Sequence, residues 1–310
     1  MYLKVVEQSM MQLQGAFTAL ITPMQGDGSV DYEGYRSLIR FQLEKGIHGI
    51  VPLGTTGETP TLERDEQDRL IEIAVQEAKN RVPIIVGVGS NSTAHTIENA
   101  KRARSLGADG ILVVTPYYNK PTNEGIYRHF SAIADATDAP ILIYNIASRT
   151  GKNIDVPTMD RLSRIPTVIG VKEASGDLAQ MGDIIQMVAK PRRAEGKPFA
   201  VLSGDDAFTL ALCALGGDGV VSVVSNLVPD RVCALAEAAL AGDFVKARDL
   251  HYGLLPLFKG AFIETNPIPI KTAMGWAGLP AGPCRLPLCE LEATNVPKLQ
   301  SALAAAGIKV

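Results

Sequence analysis

Lys172 closes the apolar run Val168-Ile169-Gly170-Val171. A run this apolar and β-branched reads as a buried strand. An amine held at the end of such a strand is partly stripped of water, a setting suited to nucleophilic attack on a carbonyl. The plain alternative is a long side chain whose head group simply reaches solvent. Other polar residues follow further apolar runs: Gly54-Thr55-Thr56-Gly57-Glu58, Thr115-Pro116-Tyr117-Tyr118-Asn119, Tyr144-Asn145 leading to Ser148-Arg149-Thr150-Gly151, Ser203-Gly204-Asp205-Asp206, and Ser222 with Asn226. This set is rich in hydroxyls, has one arginine and one lysine, and lacks histidine. Such residues suit imine chemistry better than hydrolysis, because hydroxyls can relay protons while a carbinolamine becomes an imine. Arg149 offers a planar fork for a carboxylate, and the glycines at 54 and 57 let backbone N–H groups approach an anion. Each group also has a simpler use: Gly54–Gly57 as a turn, Tyr117 and Tyr118 as core aromatics. Asp205-Asp206 fits a helix cap better than a metal site, since no third ligand is evident.

The elements that must position these residues are eight short apolar runs: Phe17–Ile21, Gly49–Leu53, Ile84–Val88, Gly110–Val114, Ile141–Tyr144, Val168–Val171, Phe199–Leu202 and Gly219–Val223. Helical spacing separates most of them. Tyr35, Leu38, Ile39 and Leu43 form one helix face, with Asp31 as N-cap and Gly46 as stop. Thr61 is expected to cap a second helix whose first turn holds Glu63, Asp65 and Glu66 and whose core face is Leu70, Ile71, Ala74 and Ala78. Strand–helix alternation implies parallel strands joined by crossovers. Eight such units predict a (β/α)8 TIM barrel, whose active site lies at the carboxyl ends of the strands. A doubly wound open sheet is the competitor, but Gly87-Val88-Gly89 lacks the third glycine of a dinucleotide loop. From about residue 235 the pattern becomes Ala-rich and helical (Ala234–Ala241, Val245–Leu257, Val296–Ala306), interrupted by the Pro-rich stretch Leu279–Pro287. The expected division is a barrel over 1–235 and a C-terminal helical appendage over 236–310.

Composition narrows the partners. In 310 residues, 46% are apolar and 20% charged, with a net charge of −3, which favours neither nucleic acid nor acidic membranes. Residues Met1–Gln14 lack an apolar segment long enough for a signal peptide, and no stretch approaches a membrane span. Cys213, Cys233, Cys284 and Cys289 form no Cys-x-x-Cys pair, so reduced thiols and a cytoplasmic location are expected. The four histidines, His48, His95, His129 and His251, are scattered and do not suggest a metal site.

Six motifs together resemble the dihydrodipicolinate synthase family of pyruvate-dependent aldolases, which also includes N-acetylneuraminate lyase. They are Gly-Thr-Thr-Gly-Glu at 54–58, Thr-Pro-Tyr-Tyr-Asn at 115–119, Tyr-Asn at 144–145, Gly-Val-Lys-Glu at 170–173, Ser-Gly-Asp-Asp at 203–206 and Asn-Pro-Ile-Pro-Ile-Lys at 266–271. The resemblance implies that Lys172 forms a Schiff base with pyruvate and that Thr55, Tyr144 and Tyr118 relay protons, Tyr118 reaching into a neighbouring subunit's site. It assigns the pyruvate carboxylate to Thr56, the pocket lining to Gly204 and the main chain at Val221, and the carboxylate of L-aspartate-4-semialdehyde to Arg149. The implied product is 4-hydroxy-tetrahydrodipicolinate, an early lysine-pathway intermediate, made without metal or organic cofactor. The implied assembly is a homotetramer, a dimer of dimers. Ala147 stands where the family commonly has proline. The competing readings are a sister aldolase acting on N-acetylneuraminate or another keto-sugar acid, against which Arg149 argues, and a non-catalytic small-molecule sensor. Family members inhibited by lysine bind it beside the tyrosine preceding the relay tyrosine, here Tyr117. In this chain Asn91 and Tyr117 match, but His95 replaces the acidic residue of that pocket, Arg64 and Gln67 replace two histidines, and Thr59-Pro60 replaces a smaller pair. Weak or absent lysine inhibition is the expectation.

Overall fold

The computed structural model describes residues 11, 13–197 and 199–309. All eight expected strands form: β1 (Gly15–Ala19), β2 (Gly49–Val51), β3 (Ile85–Gly87), β4 (Gly110–Val114), β5 (Ile141–Asn145), β6 (Val168–Glu173), β7 (Ala200–Ser203) and β8 (Gly219–Ser222). Every pairing is parallel, in the order β2-β1-β8-β7-β6-β5-β4-β3. A parallel bridge between Ile50 and Ile84, with Ile50 N–H donating to Pro83 O at 3.0 Å, joins β2 to β3 and closes the barrel. A barrel helix follows each strand: α1 (Tyr32–Glu44), α2 (Arg64–Ala78), α3 (Thr93–Ser105), α4 (Asn123–Ala136), α5 (Val156–Ser163, preceded by a short helical turn, Ala147–Thr150), α6 (Leu178–Ile184, continued through a π turn, Ile185–Ala189, into the helical segment Lys190–Ala194), α7 (Thr209–Ala214) and α8 (Pro229–Leu240).

The period of two along each strand sorts its side chains into two cores. Phe17, Val51, Ile85, Leu112, Leu142, Tyr144, Leu202 and Val221 pack together inside the barrel. Ala16, Ile50, Val86, Ile111, Ile143, Val171 and Val220 face the helices. Capping fixes where the helices start. Asp31 accepts from Gly34 N at 2.9 Å, as the sequence suggests. Thr61 does not cap α2, because it is taken up in a 3₁₀ turn, Thr59–Thr61, where its hydroxyl donates to Glu58 O at 3.0 Å. Glu63 is the N-cap instead, in a reciprocal capping box with Glu66.

Residue 235 lies inside α8, which packs on β1 and β8 as the eighth barrel helix. The appendage beyond it comprises α9 (Phe244–Gly260), α10 (Ile268–Trp276) and α11 (Val296–Ala305), with α9 against both α8 and α11. Helix α10 was not evident from apolar spacing. Among the described residues no helix is long and apolar enough to cross a membrane.

Candidate active site

Strand β6 runs two residues further than its apolar run suggests, so Lys172 and Glu173 are strand residues on opposite faces. Lys172 lies in register between Tyr144 of β5 and Leu202 of β7 and points into the barrel, 5% exposed. Its Nζ sits 4.1 Å from the centre of the Tyr144 ring. None of the described ion pairs or hydrogen bonds takes up this ammonium, so the amine is not tied into a structural pair. Glu173 points the other way and is fully buried, accepting from Asn145 Nδ2 at 2.9 Å and Ser175 N at 2.8 Å. Burial pushes its carboxyl above the usual carboxylate range, an effect these hydrogen bonds oppose. Gly204 makes room for the lysine: a Cβ there would lie 2.6 Å from Ala174 Cβ and 3.2 Å from Lys172 Cε. Val221 faces inward on β8, in register with Phe17.

Tyr144 also lines a cavity of about 740 Å³, with Thr55, Ile146, Arg149 and Asn266 among its other walls. Thr55 and Thr56 belong to a 3₁₀ turn, Thr55–Gly57, at the carboxyl end of β2. Thr56 is buried, and its hydroxyl accepts from Asn266 Nδ2 at 2.9 Å. Arg149 sits on the short helical turn Ala147–Thr150 and donates from Nη2 to Asn266 O at 3.2 Å. Ala147 enters that turn regularly, its carbonyl accepting from Gly151 N at 2.8 Å.

The fold therefore gathers Lys172, Tyr144, Thr55, Thr56, Arg149, Gly204 and Val221 at one end of the barrel. It does not bring Tyr118 there. That side chain is 88% exposed on a left-handed backbone, with φ of 72°. Tyr117 lines the outer part of the cavity with Arg64, Gln67, His95 and Glu98, where Arg64 forms an ion pair with Glu98. The aspartates divide their work: Asp205 caps a 3₁₀ turn by accepting from Ala207 N at 2.8 Å, as expected of a cap. Asp206 is buried and accepts from Ser222 Oγ at 2.5 Å and Val223 N at 2.9 Å. Burial pushes its carboxyl up to about 6.

Two contributors escape a reading of strand ends alone. One is Asn266. The other is the pair Glu58–Lys271, with Nζ to Oε1 at 2.7 Å and side chains 1% and 2% exposed. Lys271 also donates to Thr22 O at 3.1 Å and Pro283 O at 2.7 Å, and Glu58 Oε2 accepts from Arg285 N at 2.9 Å. These bonds clamp the Thr55–Gly57 turn to the appendage. The signal was the motif Asn-Pro-Ile-Pro-Ile-Lys at 266–271, which holds both Asn266 and Lys271 but lies beyond the strand ends and so shows no role by position alone.

Fold and cavity define a (β/α)8 barrel with a buried lysine among hydroxyls at the carboxyl end of its strands. Residues 12–306 match the dihydrodipicolinate synthetase family. The chain belongs to that family. It is 52% identical to the 4-hydroxy-tetrahydrodipicolinate synthase of Protochlamydia amoebophila over 293 residues, 94% of this chain and 96% of the relative. It is 49% identical to that of Nitratidesulfovibrio vulgaris over 299 residues, 96% of this chain and 100% of the relative. The solved 4-hydroxy-tetrahydrodipicolinate synthase of Methylacidiphilum fumariolicum SolV superposes with a TM-score of 0.91 at 44% identity, covering 96% of each chain.

Proposed function

We propose that this chain condenses pyruvate with L-aspartate-4-semialdehyde to 4-hydroxy-tetrahydrodipicolinate, a step of lysine and diaminopimelate biosynthesis, with Lys172 as the covalent centre. The observation that carries the reading is the buried Lys172 amine 4.1 Å from the centre of the Tyr144 ring, where Tyr144 lines a cavity together with Thr55 and Arg149. The Lys172 amine adds to the pyruvate ketone, and the carbinolamine loses water to give an imine. Tyr144, relayed through Thr55, takes a methyl proton and leaves an enamine. The enamine carbon attacks the aldehyde, whose oxygen collects the proton. The substrate's amine then closes on the imine carbon and expels the Lys172 amine with the cyclic product. The imine nitrogen is the electron sink, so this sequence calls for no metal or organic cofactor.

Thr56 would hold the pyruvate carboxylate, Gly204 and the Val221 main chain would line that subsite, and Arg149 would take the carboxylate of the semialdehyde. An arginine fork at the mouth suits this substrate better than the polyol of a sugar acid. Tyr118, exposed and held on a left-handed backbone, is free to complete a neighbour's relay, in the homotetramer, a dimer of dimers, that the resemblance implies. A cytoplasmic location accords with this pathway. In the outer cavity an imidazole, His95, stands where lysine-sensitive relatives carry a carboxylate, and the Glu98 carboxylate is already paired with Arg64, which supports weak lysine inhibition.

Borohydride reduction in the presence of pyruvate tests the centre. One adduct per chain is expected, on the peptide carrying Val171-Lys172-Glu173. Parallel turnover assays with the semialdehyde and with N-acetylneuraminate should show activity with the former. Reduction onto a different lysine, or none, contradicts the mechanism.

A further inference from the structure

Asn266 joins two parts of the cavity that are remote in the chain, 210 residues from Thr56 and 117 from Arg149. Its side chain and its main chain do different things. The Nδ2 group donates to Thr56 Oγ1 at 2.9 Å, while the carbonyl oxygen accepts from Arg149 Nη2 at 3.2 Å. A threonine hydroxyl has one hydrogen to give and two lone pairs to fill. Because Asn266 fills an acceptor position, the Thr56 hydrogen is not spent on this contact and can be donated to an anion.

The residue is 5% exposed, and its Oδ1 is buried without a hydrogen-bond partner among the described residues. Burying an amide oxygen in this way destabilises a fold, and a small apolar residue would avoid it. The amide is best accounted for by what its other end does at Thr56.

We propose that Asn266 is a positioning residue for both substrates: its side-chain amide sets Thr56 as donor to the pyruvate carboxylate, and its main-chain carbonyl aims Arg149 at the semialdehyde. The inference rests on the imine reading above and assigns each half of Asn266 to one substrate. A side-chain substitution therefore removes the first role and keeps the second.

The test measures pyruvate half-saturation by borohydride trapping and semialdehyde half-saturation by turnover, in wild type, Asn266→Ala and Asn266→Asp. An ordered hydrogen bond to a carboxylate is lost in Asn266→Ala, so pyruvate half-saturation should rise about 10- to 100-fold. Semialdehyde half-saturation should stay within about 3-fold, because the carbonyl at 266 remains. Asn266→Asp is nearly isosteric, but an ionised carboxylate only accepts, so it turns the Thr56 hydrogen away from pyruvate and should be at least as damaging. In a Thr56→Val background, Asn266→Ala should add little to the pyruvate defect, since the two act as one unit.

Wild-type pyruvate half-saturation in both folded variants would overturn the inference, as would fully additive effects with Thr56→Val. Equal damage to both substrates would do the same, by showing a general structural role. Absence of trapping in the wild type would instead overturn the imine reading itself.

Discussion

Removing Lys271 should destabilise this protein as much as truncating a large buried aliphatic side chain. The Lys271→Met substitution keeps the volume of the stem but deletes an ammonium that makes three contacts, to Glu58 Oε1, Thr22 O and Pro283 O at 2.7, 3.1 and 2.7 Å. Glu58, with its side chain 1% exposed, would be left as a buried charge facing the Arg285 N–H and the Cys284 thiol, with no cation to balance it. Breaking one half of a buried pair costs about 3–5 kcal/mol, a large share of the roughly 5–15 kcal/mol by which domains are stable. Because Glu58 closes the Thr55–Gly57 turn, pyruvate trapping at Lys172 should slow as well. Urea unfolding at fixed protein concentration, followed by circular dichroism, reads the first effect, and borohydride trapping reads the second. Removing both charges in Glu58→Leu/Lys271→Met should recover most of the loss, with a coupling of about 2 kcal/mol or more in the double-mutant cycle. A Lys271→Met loss under about 1 kcal/mol, or strictly additive single effects, would refute the view that this pair clamps the turn.

Tyr118→Phe and Lys172→Ala chains should each be inactive yet regain activity when mixed and allowed to exchange subunits, because a hybrid can assemble one intact site. A dead mixture after proven exchange would place Tyr118 within its own site. Titration with L-lysine at neutral pH should give little inhibition, and a midpoint below the millimolar range would contradict the outer-cavity argument. His129 should make stability depend on acid. Its Nδ1 meets Thr93 Oγ1 at 2.9 Å, its Nε2 is buried without a partner among the described residues, and burial pushes its pKa down from 6.5 to about 4. The unfolded chain therefore binds the extra proton first. The stabilising contribution is fully present above pH 6.5 and is lost as pH falls towards about 4, a change of about 3 kcal/mol. Asp206, raised from 3.8 to about 6, works in the opposite sense and favours the folded state at the acid end. The difference in unfolding free energy between wild type and His129→Phe isolates the histidine. A difference that stays flat between pH 4 and 6.5 would show that the imidazole is hydrated or already paired.

Local patterns determined the frame of this protein. Apolar runs of strand length, alternating with helical spacing, are sufficient to write down eight β/α units, and barrel geometry then assigns the polar residue after each run to one end. Lys172, Tyr144, Thr55, Thr56 and Arg149 were legible for that reason: each sits within a residue or a few of a strand terminus, where local order dictates position. The exact start of α2 was not legible, since Thr61 and Glu63 are both plausible caps. The outcome turned on the 3₁₀ turn that claims the Thr61 hydroxyl. Tertiary structure alone decided the contacts that span the chain. Glu58 finds Lys271 across 213 residues, and Thr56 finds Asn266 across 210. No periodicity encodes such pairings, because they depend on where the appendage settles on the closed barrel. Their strength comes from the loss of water there, which leaves a buried charge or amide no partner except the one the fold supplies.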